Sequence, residues 1–325
     1  MSWLVWRQYR AQGAITAALL AVFATVILAD GFAVASHWHK VLVSCSGNSA
    51  CLQQAGPLVN GVVSDLPYLS LLVPVVLGML CGAPLVAHEF ETRTSDFAWA
   101  QSVTRMRWLT VKAGWLLLAA AACGGVVAAL TTWWSGPINA QAASAFVPGQ
   151  FDTQGIVPIG YAVFAMALGI AAGTVARRTL PAVAVALGGF IAVRLVISNF
   201  ARPHYLAAVT TYYNLNRSFT PPGAAWVMSQ GAVSRTGQIV PAGWGSLYPA
   251  LPPSCQRLLA AGPPAKSGSL STVFSCMQAH GWRGFASYQP GSRYWPFQGI
   301  ETGIYLLLAA ALIAVTFAIV RRRDA

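Results

Sequence analysis

Six apolar runs, at residues 13–34, 67–87, 111–134, 156–176, 180–200 and 299–320, constrain this chain more than any other feature. Each is long enough to cross roughly 30 Å of hydrocarbon, which takes about 20 helical residues. In lipid, backbone amides must be satisfied within the segment, so each run is expected to be an α-helix. Composition agrees: 56% of the 325 residues are hydrophobic and 9% are charged, whereas an average soluble domain is about 25% charged. The polar residues are too few to coat a soluble body. The sequence therefore reads as an all-α polytopic membrane protein with six transmembrane helices.

Basic residues choose the orientation. Segments 1–12, 88–110, 177–179 and 321–325, with Lys112 at the edge of the third span, hold eleven: Arg7, Arg10, Arg93, Arg105, Arg107, Lys112, Arg177, Arg178, Arg321, Arg322 and Arg323. The short segments 35–66 and 135–155 hold Lys40 alone. Basic loops stay cytoplasmic, and long translocated segments are exempt from that rule. Both termini are thus expected inside, with 35–66, 135–155 and 201–298 outside. The formal net charge of +12 is accounted for by cytoplasmic loops facing anionic lipid, with no need for nucleic acid. The apolar run after the N-terminal MSWLVWRQYRAQ is too long for a signal peptide, so the first span is read as retained. Residues 1–12, with Trp3, Trp6, Arg7 and Arg10, are expected to form a cytoplasmic interfacial helix. Residues 13–200 would hold spans one to five, and 299–325 the sixth span with a basic tail.

Three features inside the spans carry expectations. Pro74 lies mid-span in the second run and predicts a kink. Gly169 and Gly173 stand four apart in the fourth, spacing that permits close helix approach. Arg194 lies inside the fifth, where a charge calls for a partner. Asp30 and Glu301 are the acidic candidates at matching depth, with Glu301 preferred; the alternative is an Arg194 that snorkels to the headgroups unpaired. The turn Arg177-Arg178-Thr179 makes spans four and five antiparallel neighbours.

Segment 201–298 reads as an extracellular domain. It holds eleven of the 19 prolines, seven basic residues and no acidic one. Short helices are expected at 254–261 and 271–280. Cys45 and Cys51 fall in the first outer segment and Cys255 and Cys276 in the large one, the oxidising side. Proximity in sequence suggests Cys45–Cys51 and Cys255–Cys276, although three pairings are possible. No CxxC or HxxxH spacing points to a metal, and His37 and His39 read as surface residues.

Chemistry is missing where an enzyme would need it. The nearest stretch to a phosphate-binding loop, Gly262-Pro-Pro-Ala-Lys266-Ser267, lacks the second glycine. No G-x-S-x-G exists, and the spans carry no histidine and no midplane carboxylate of the kind a self-powered carrier keeps. The chain is read as a non-enzyme without a cofactor. Its densest charge lies at 88–112, HEFETRTSDFAWAQSVTRMRWLTVK. Ser95 can cap a helix there, with Asp96 in its first turn. Phe97, Ala100, Thr104 and Trp108 fall near helical spacing, which predicts an amphipathic helix between spans two and three.

These stretches, together with ARRTLPAVAV and WPFQGIETGIYL, resemble permease subunits of bacterial ABC-2-type exporters, most closely those of actinobacteria. The loop after span two carries the most specific likeness. The family favours E-x-E-x-G-T there, and this chain has Glu89-Phe-Glu91-Thr-Arg93-Thr94, with Arg93 in place of glycine. The resemblance implies a coupling helix at about 94–106 that docks on a soluble ABC ATPase. Glu89, Glu91, Arg93, Asp96, Phe97, Trp99 and Arg105 would be its working residues. It implies two ATPase copies carrying ATP and Mg, a permease homodimer or close heterodimer, and a place in the bacterial plasma membrane. The expected function is outward movement of a small amphipathic or hydrophobic solute. The alternative is a membrane sensor or scaffold, or a force-transmitting subunit that conducts nothing.

Overall fold

The computed structural model describes residues 2–45, 51, 69–91, 105–139, 144, 146, 148–242, 248–260 and 268–322. The chain divides into two compact units. One comprises Met1–Gln141, Pro148–Arg202 and Trp295–Ala325, the other Ala142–Val147 and Pro203–Tyr294.

The first unit is helical. Its elements are α1 (Ser2–Cys45), α2 (Leu72–Leu77), a π turn (Gly78–Gly82), α3 (Ala83–Glu91), α4 (Arg105–Asn139), the short α5 (Pro148–Thr153), α6 (Val157–Ala176), α7 (Thr179–Val196) and, after the second unit, α10 (Tyr294–Arg322). A second π turn (Ile197–Ala201) and a 3-10 turn (Arg202–His204) extend α7. Among the described residues, five helices are long and apolar enough to cross a membrane: Gly13–Cys45, Met106–Gly136, Val157–Ala176, Thr179–His204 and Gly291–Arg322. The run expected as the second span appears as a shorter apolar helix, Leu72–Leu85. The chain is a multi-pass membrane protein.

Two local expectations need correction. The interfacial helix drawn at 1–12 is not separate, because α1 continues from Ser2 to Cys45 without a break. Nothing in SWLVWRQYRAQ breaks a helix, and Gly13 alone costs only about 1 kcal/mol. Pro74 is not the irregular point of the second run. It is the third residue of α2, in the first turn, where a missing N–H leaves no helical bond unmade. The irregularity is the π turn at Gly78–Gly82.

That π turn sits where two helices touch backbone to backbone. A Cβ on Gly169 would strike the Gly78 carbonyl oxygen, and one on Gly173 the Ala83 oxygen. The approach is reciprocal: a Cβ on Gly78 would lie 2.5 Å from the Ala165 oxygen, and one on Gly82 2.8 Å from that of Met166. The expected small-residue spacing on α6 thus meets a matching Gly-x-x-x-Gly across the contact. α6 is buried along most of its length. Around it, α7 and α10 leave Leu180, Phe200 and Leu307 more than 70% exposed, an apolar exterior suited to lipid.

The second unit departs from the all-α expectation. Strands β1 (Val209–Tyr213), β2 (Trp226–Val233), β3 (Ile239–Pro241) and β4 (Arg283–Gln289) form an antiparallel sheet in the order β1-β4-β2-β3. Helices α8 (Pro253–Ala260) and α9 (Gly268–Ala279) lie within a residue or a few of the two expected. Cys255 and Cys276 join them, and Cys45 is joined to Cys51, the two pairings suggested by sequence proximity. The core beneath combines Ala232, Val240, Cys255, Val273, Met277 and Trp282. Gly281, at φ +81, turns the chain from α9 into β4, a backbone that glycine adopts without strain.

Candidate functional site

Four charged side chains and a tyrosine meet inside the first unit, where the start of α6, the end of α7 and the start of α10 lie side by side. The local sequence builds the seat. α5 ends at Thr153, and Gly155 takes φ +69 to reverse the chain into α6. Gln298 of α10 clamps this turn. Its Oε1 accepts from the amides of Ile156 (3.0 Å) and Val157 (2.9 Å), and its Nε2 donates to the Phe151 carbonyl (2.9 Å). Gln298 thus supplies acceptors to the orphan amides at the start of α6. Thr131 of α4 donates to the Thr153 carbonyl. Asp152 is thereby held in the helical interior, 1% exposed.

Arg202 is the hub. Its Nε donates to Glu301 Oε2 (2.8 Å) and its Nη2 to Glu301 Oε1 (2.6 Å), a two-pronged contact with a carboxylate. The same Nη2 donates to Asp152 Oδ1. The guanidinium also lies 4.4 Å from the Phe151 ring centroid, a favourable cation–π placement. Arg194 Nη2 donates to Asp152 Oδ2 at 2.5 Å. The Tyr161 hydroxyl stands 2.8 Å from Glu301 Oε1 and 3.2 Å from Asp152 Oδ1. Its one proton serves one carboxylate at a time. Arg202, Glu301 and Tyr161 are each 2% exposed or less, whereas the Arg194 side chain keeps 25% exposure. Two guanidiniums balance two carboxylates, so the cluster carries no formal net charge. Buried charges persist only when paired and hydrogen-bonded in this way. Among the described residues, Arg194 Nε, Thr302 Oγ1 and the Tyr305 hydroxyl are buried without a hydrogen-bond partner.

This arrangement corrects the expected Arg194–Glu301 pair. Arg194 bonds Asp152, and Glu301 belongs to Arg202. The reason is the short helix α5, which carries an unconsidered carboxylate into the unit. Asp30, the other candidate, accepts from the Trp134 indole N–H at 2.7 Å. Sequence reasoning placed Arg202 among the cations of the 201–298 segment and passed over Asp152. The missed signal was available: Asp152 is the only acidic residue between spans three and four, at the same helix ends as Arg202 and Glu301.

Of the residues expected to meet an ATPase, Arg93, Asp96, Phe97 and Trp99 lie outside the described residues, as does most of the 94–106 stretch. Glu89 lies on α3, and Arg105 begins α4. Glu91 ends α3, and its carboxylate accepts from the Thr179 amide (2.9 Å) and hydroxyl (2.7 Å). It therefore caps the start of α7, where the helix dipole favours a negative charge. Arg177 ends α6 in the left-handed region at φ 54, completing the tight antiparallel turn that the sequence predicted.

Elsewhere, His280 lies beside the Cys255–Cys276 bridge, with the three potential ligand atoms within 4.8 Å of one another. Its Nδ1 is 2.9 Å from the Cys276 carbonyl. The two sulfurs are bonded to each other, so neither is a thiolate able to hold a metal.

A family model described as "ABC-2 membrane transporter related" matches residues 17–202, more than half of the chain. The match ends at Arg202, where the first unit gives way to the second. No curated protein and no solved structure matches the chain.

Proposed function

The chain belongs to the ABC-2 membrane transporter related family, and from that premise we propose that it is the permease subunit of an ATP-driven exporter in the bacterial cell membrane. The family match over 17–202, laid over a unit whose helices are built to cross a bilayer, is the observation that carries this reading. Membership implies an ATPase partner in a transporter. The finer proposal is that two ATPases dock on residues 94–106 of a permease homodimer or close heterodimer. ATP and its Mg would be held by those subunits. Six spans with both termini inside suit the distribution of basic residues.

Glu91 offers a route for the push. The end of α3 is tied through this carboxylate to the start of α7, and α7 carries Arg194 in its last turn. A displacement at 94–106 would therefore reach the buried charge cluster along one stiff helix. The cargo proposed is a small amphipathic or hydrophobic solute, moved outward. The force-transmitting alternative draws support from the second unit, which has its own core and disulfide and offers a separate body on which a partner could act.

The test is co-purification with a soluble ATPase encoded beside this gene, followed by ATP-dependent uptake into inverted vesicles. Changing Phe97 and Trp99 to Ala should abolish co-purification while leaving the permease folded. Binding that survives those changes would remove the coupling-helix assignment. Stimulated ATPase activity without solute uptake would favour force transmission.

A further inference from the structure

We propose that the second unit carries a binding site for a phosphate-bearing anion, in the cleft of about 640 Å³ between the β2–β3 turn and the α9–β4 junction. Tyr212, Ser234, Arg235, Gln278, Trp282 and Arg283 line it. The inference is independent of the transport reading.

Arg235 and Arg283 both line this cleft. Arg283 stands opposite Val233 in the β2–β4 register, and Arg235 follows two residues after that valine. Both are held by fixed backbone. In the turn, the Ser234 amide donates to the Gln238 carbonyl (2.9 Å), the Gly237 amide to the Ser234 carbonyl (3.0 Å) and the Gln238 amide to Ser234 Oγ (3.0 Å). The stem of Arg235 lies over Gly281, where a Cβ would meet Arg235 Cβ and Cδ at 3.3 Å. Gln278 adds a neutral donor. Its Oε1 already accepts from Asn216 Nδ2 (3.0 Å), so its Nε2 is what it has left to give.

Two like charges in one cleft repel, and the usual remedy is a nearby carboxylate. Neither 142–147 nor 203–294 contains an aspartate or glutamate, so the unit cannot neutralise the pair from within. Arg293 shows the contrast. It donates to the Ala207 carbonyl and to Gln289 Oε1, both at 2.6 Å, and so has a structural role. Arg235 and Arg283 have no hydrogen-bonded side-chain partner among the described residues. An arginine fork matches the oxygen spacing of phosphate and binds it through charge-assisted bonds. The anion could be free phosphate or the headgroup of an anionic lipid, and the recognition chemistry is shared.

The experiment uses the full chain in nanodiscs of phosphatidylcholine alone or with phosphatidylglycerol. Radiolabelled orthophosphate binding is read by equilibrium dialysis, and retained phosphatidylglycerol by native mass spectrometry. Each of Arg235→Gln and Arg283→Gln is expected to weaken binding about tenfold, the scale of one charge-assisted hydrogen bond. Arg257→Gln, outside the cleft, is the control and should change nothing. Saturable orthophosphate binding that both cleft variants lose identifies a free anion. Phosphatidylglycerol retention that both lose, without orthophosphate binding, identifies a lipid headgroup. Absence of both kinds of binding, or equal losses in Arg257→Gln, overturns the proposal.

Discussion

Arg202 illustrates how a charge can sit in a membrane protein's interior without acting as a free charge. Both carboxylates that face it accept from it, and Tyr161 fills part of what they have left. Removing Arg202 leaves Glu301 buried without a cation while Asp152 keeps Arg194, and breaking a buried pair in this way typically costs about 3–5 kcal/mol. Arg202→Ala is therefore expected to lower the unfolding midpoint in detergent sharply. Arg194→Ala should be milder, because that side chain keeps 25% exposure and the carboxylate it pairs with, Asp152, retains Arg202. Pairwise coupling separates direct from indirect partners. A cycle between Arg194 and Asp152 should give a coupling of roughly 0.5–3 kcal/mol, and one between Arg194 and Glu301 a smaller value. The reverse order, read from chemical denaturation, would restore the pair that sequence depth suggested. That suggestion missed because depth along a span says which charges share a level, not which share a contact.

At the level of elements, legibility followed the length of the signal. The long apolar runs marked five helices, and the Gly169/Gly173 spacing correctly marked a close approach. The two cysteine pairs were legible from proximity alone. The sheet was not, since prolines and glycines crowd the chain between its strands; β-branched and aromatic VTTYY at β1 was a local hint. The π turn was equally hidden; it lies where Gly78 and Gly82 approach the carbonyls of Ala165 and Met166 on α6, a contact no local signal announces. Two predictions belong here. Gly173→Leu would force α6 away from α3, with an overpacking penalty of about 1–3 kcal/mol or more, visible as a lowered thermal midpoint; an unchanged midpoint would show that the helices can separate freely. Glu91→Ala removes the cap on α7, worth about 1 kcal/mol. It should spare folding yet reduce the ATPase stimulation that the permease confers, if α7 receives the push. Full stimulation in that variant would move the route elsewhere.

For the whole molecule, the orientation proposed, with both termini inside, rests on charge. Eleven basic residues gather in segments 1–12, 88–112, 177–179 and 321–325, and moving them across an anionic, inside-negative membrane is unfavourable. An outside location for the second unit would also suit its Cys255–Cys276 disulfide, since thiols oxidise there. The test compares two single cysteines in a background where Cys81 and Cys123, the free thiols among the described residues, are replaced by alanine. Arg217→Cys lies in the second unit, and Arg322→Cys at the exposed end of α10. A membrane-impermeant maleimide applied to intact cells should label Arg217→Cys and leave Arg322→Cys unreacted until the membrane is opened. An odd number of crossings would expose α1 and α10 ends on opposite faces, so a third cysteine, Arg7→Cys, closes the argument. If it reacts from outside while Arg322→Cys does not, the run around Leu72–Leu85 fails to cross, and five spans replace six. If both stay protected, the short interrupted helix crosses despite its length. The backbone contacts of its π turn with α6 would then give it protein rather than lipid as its neighbour.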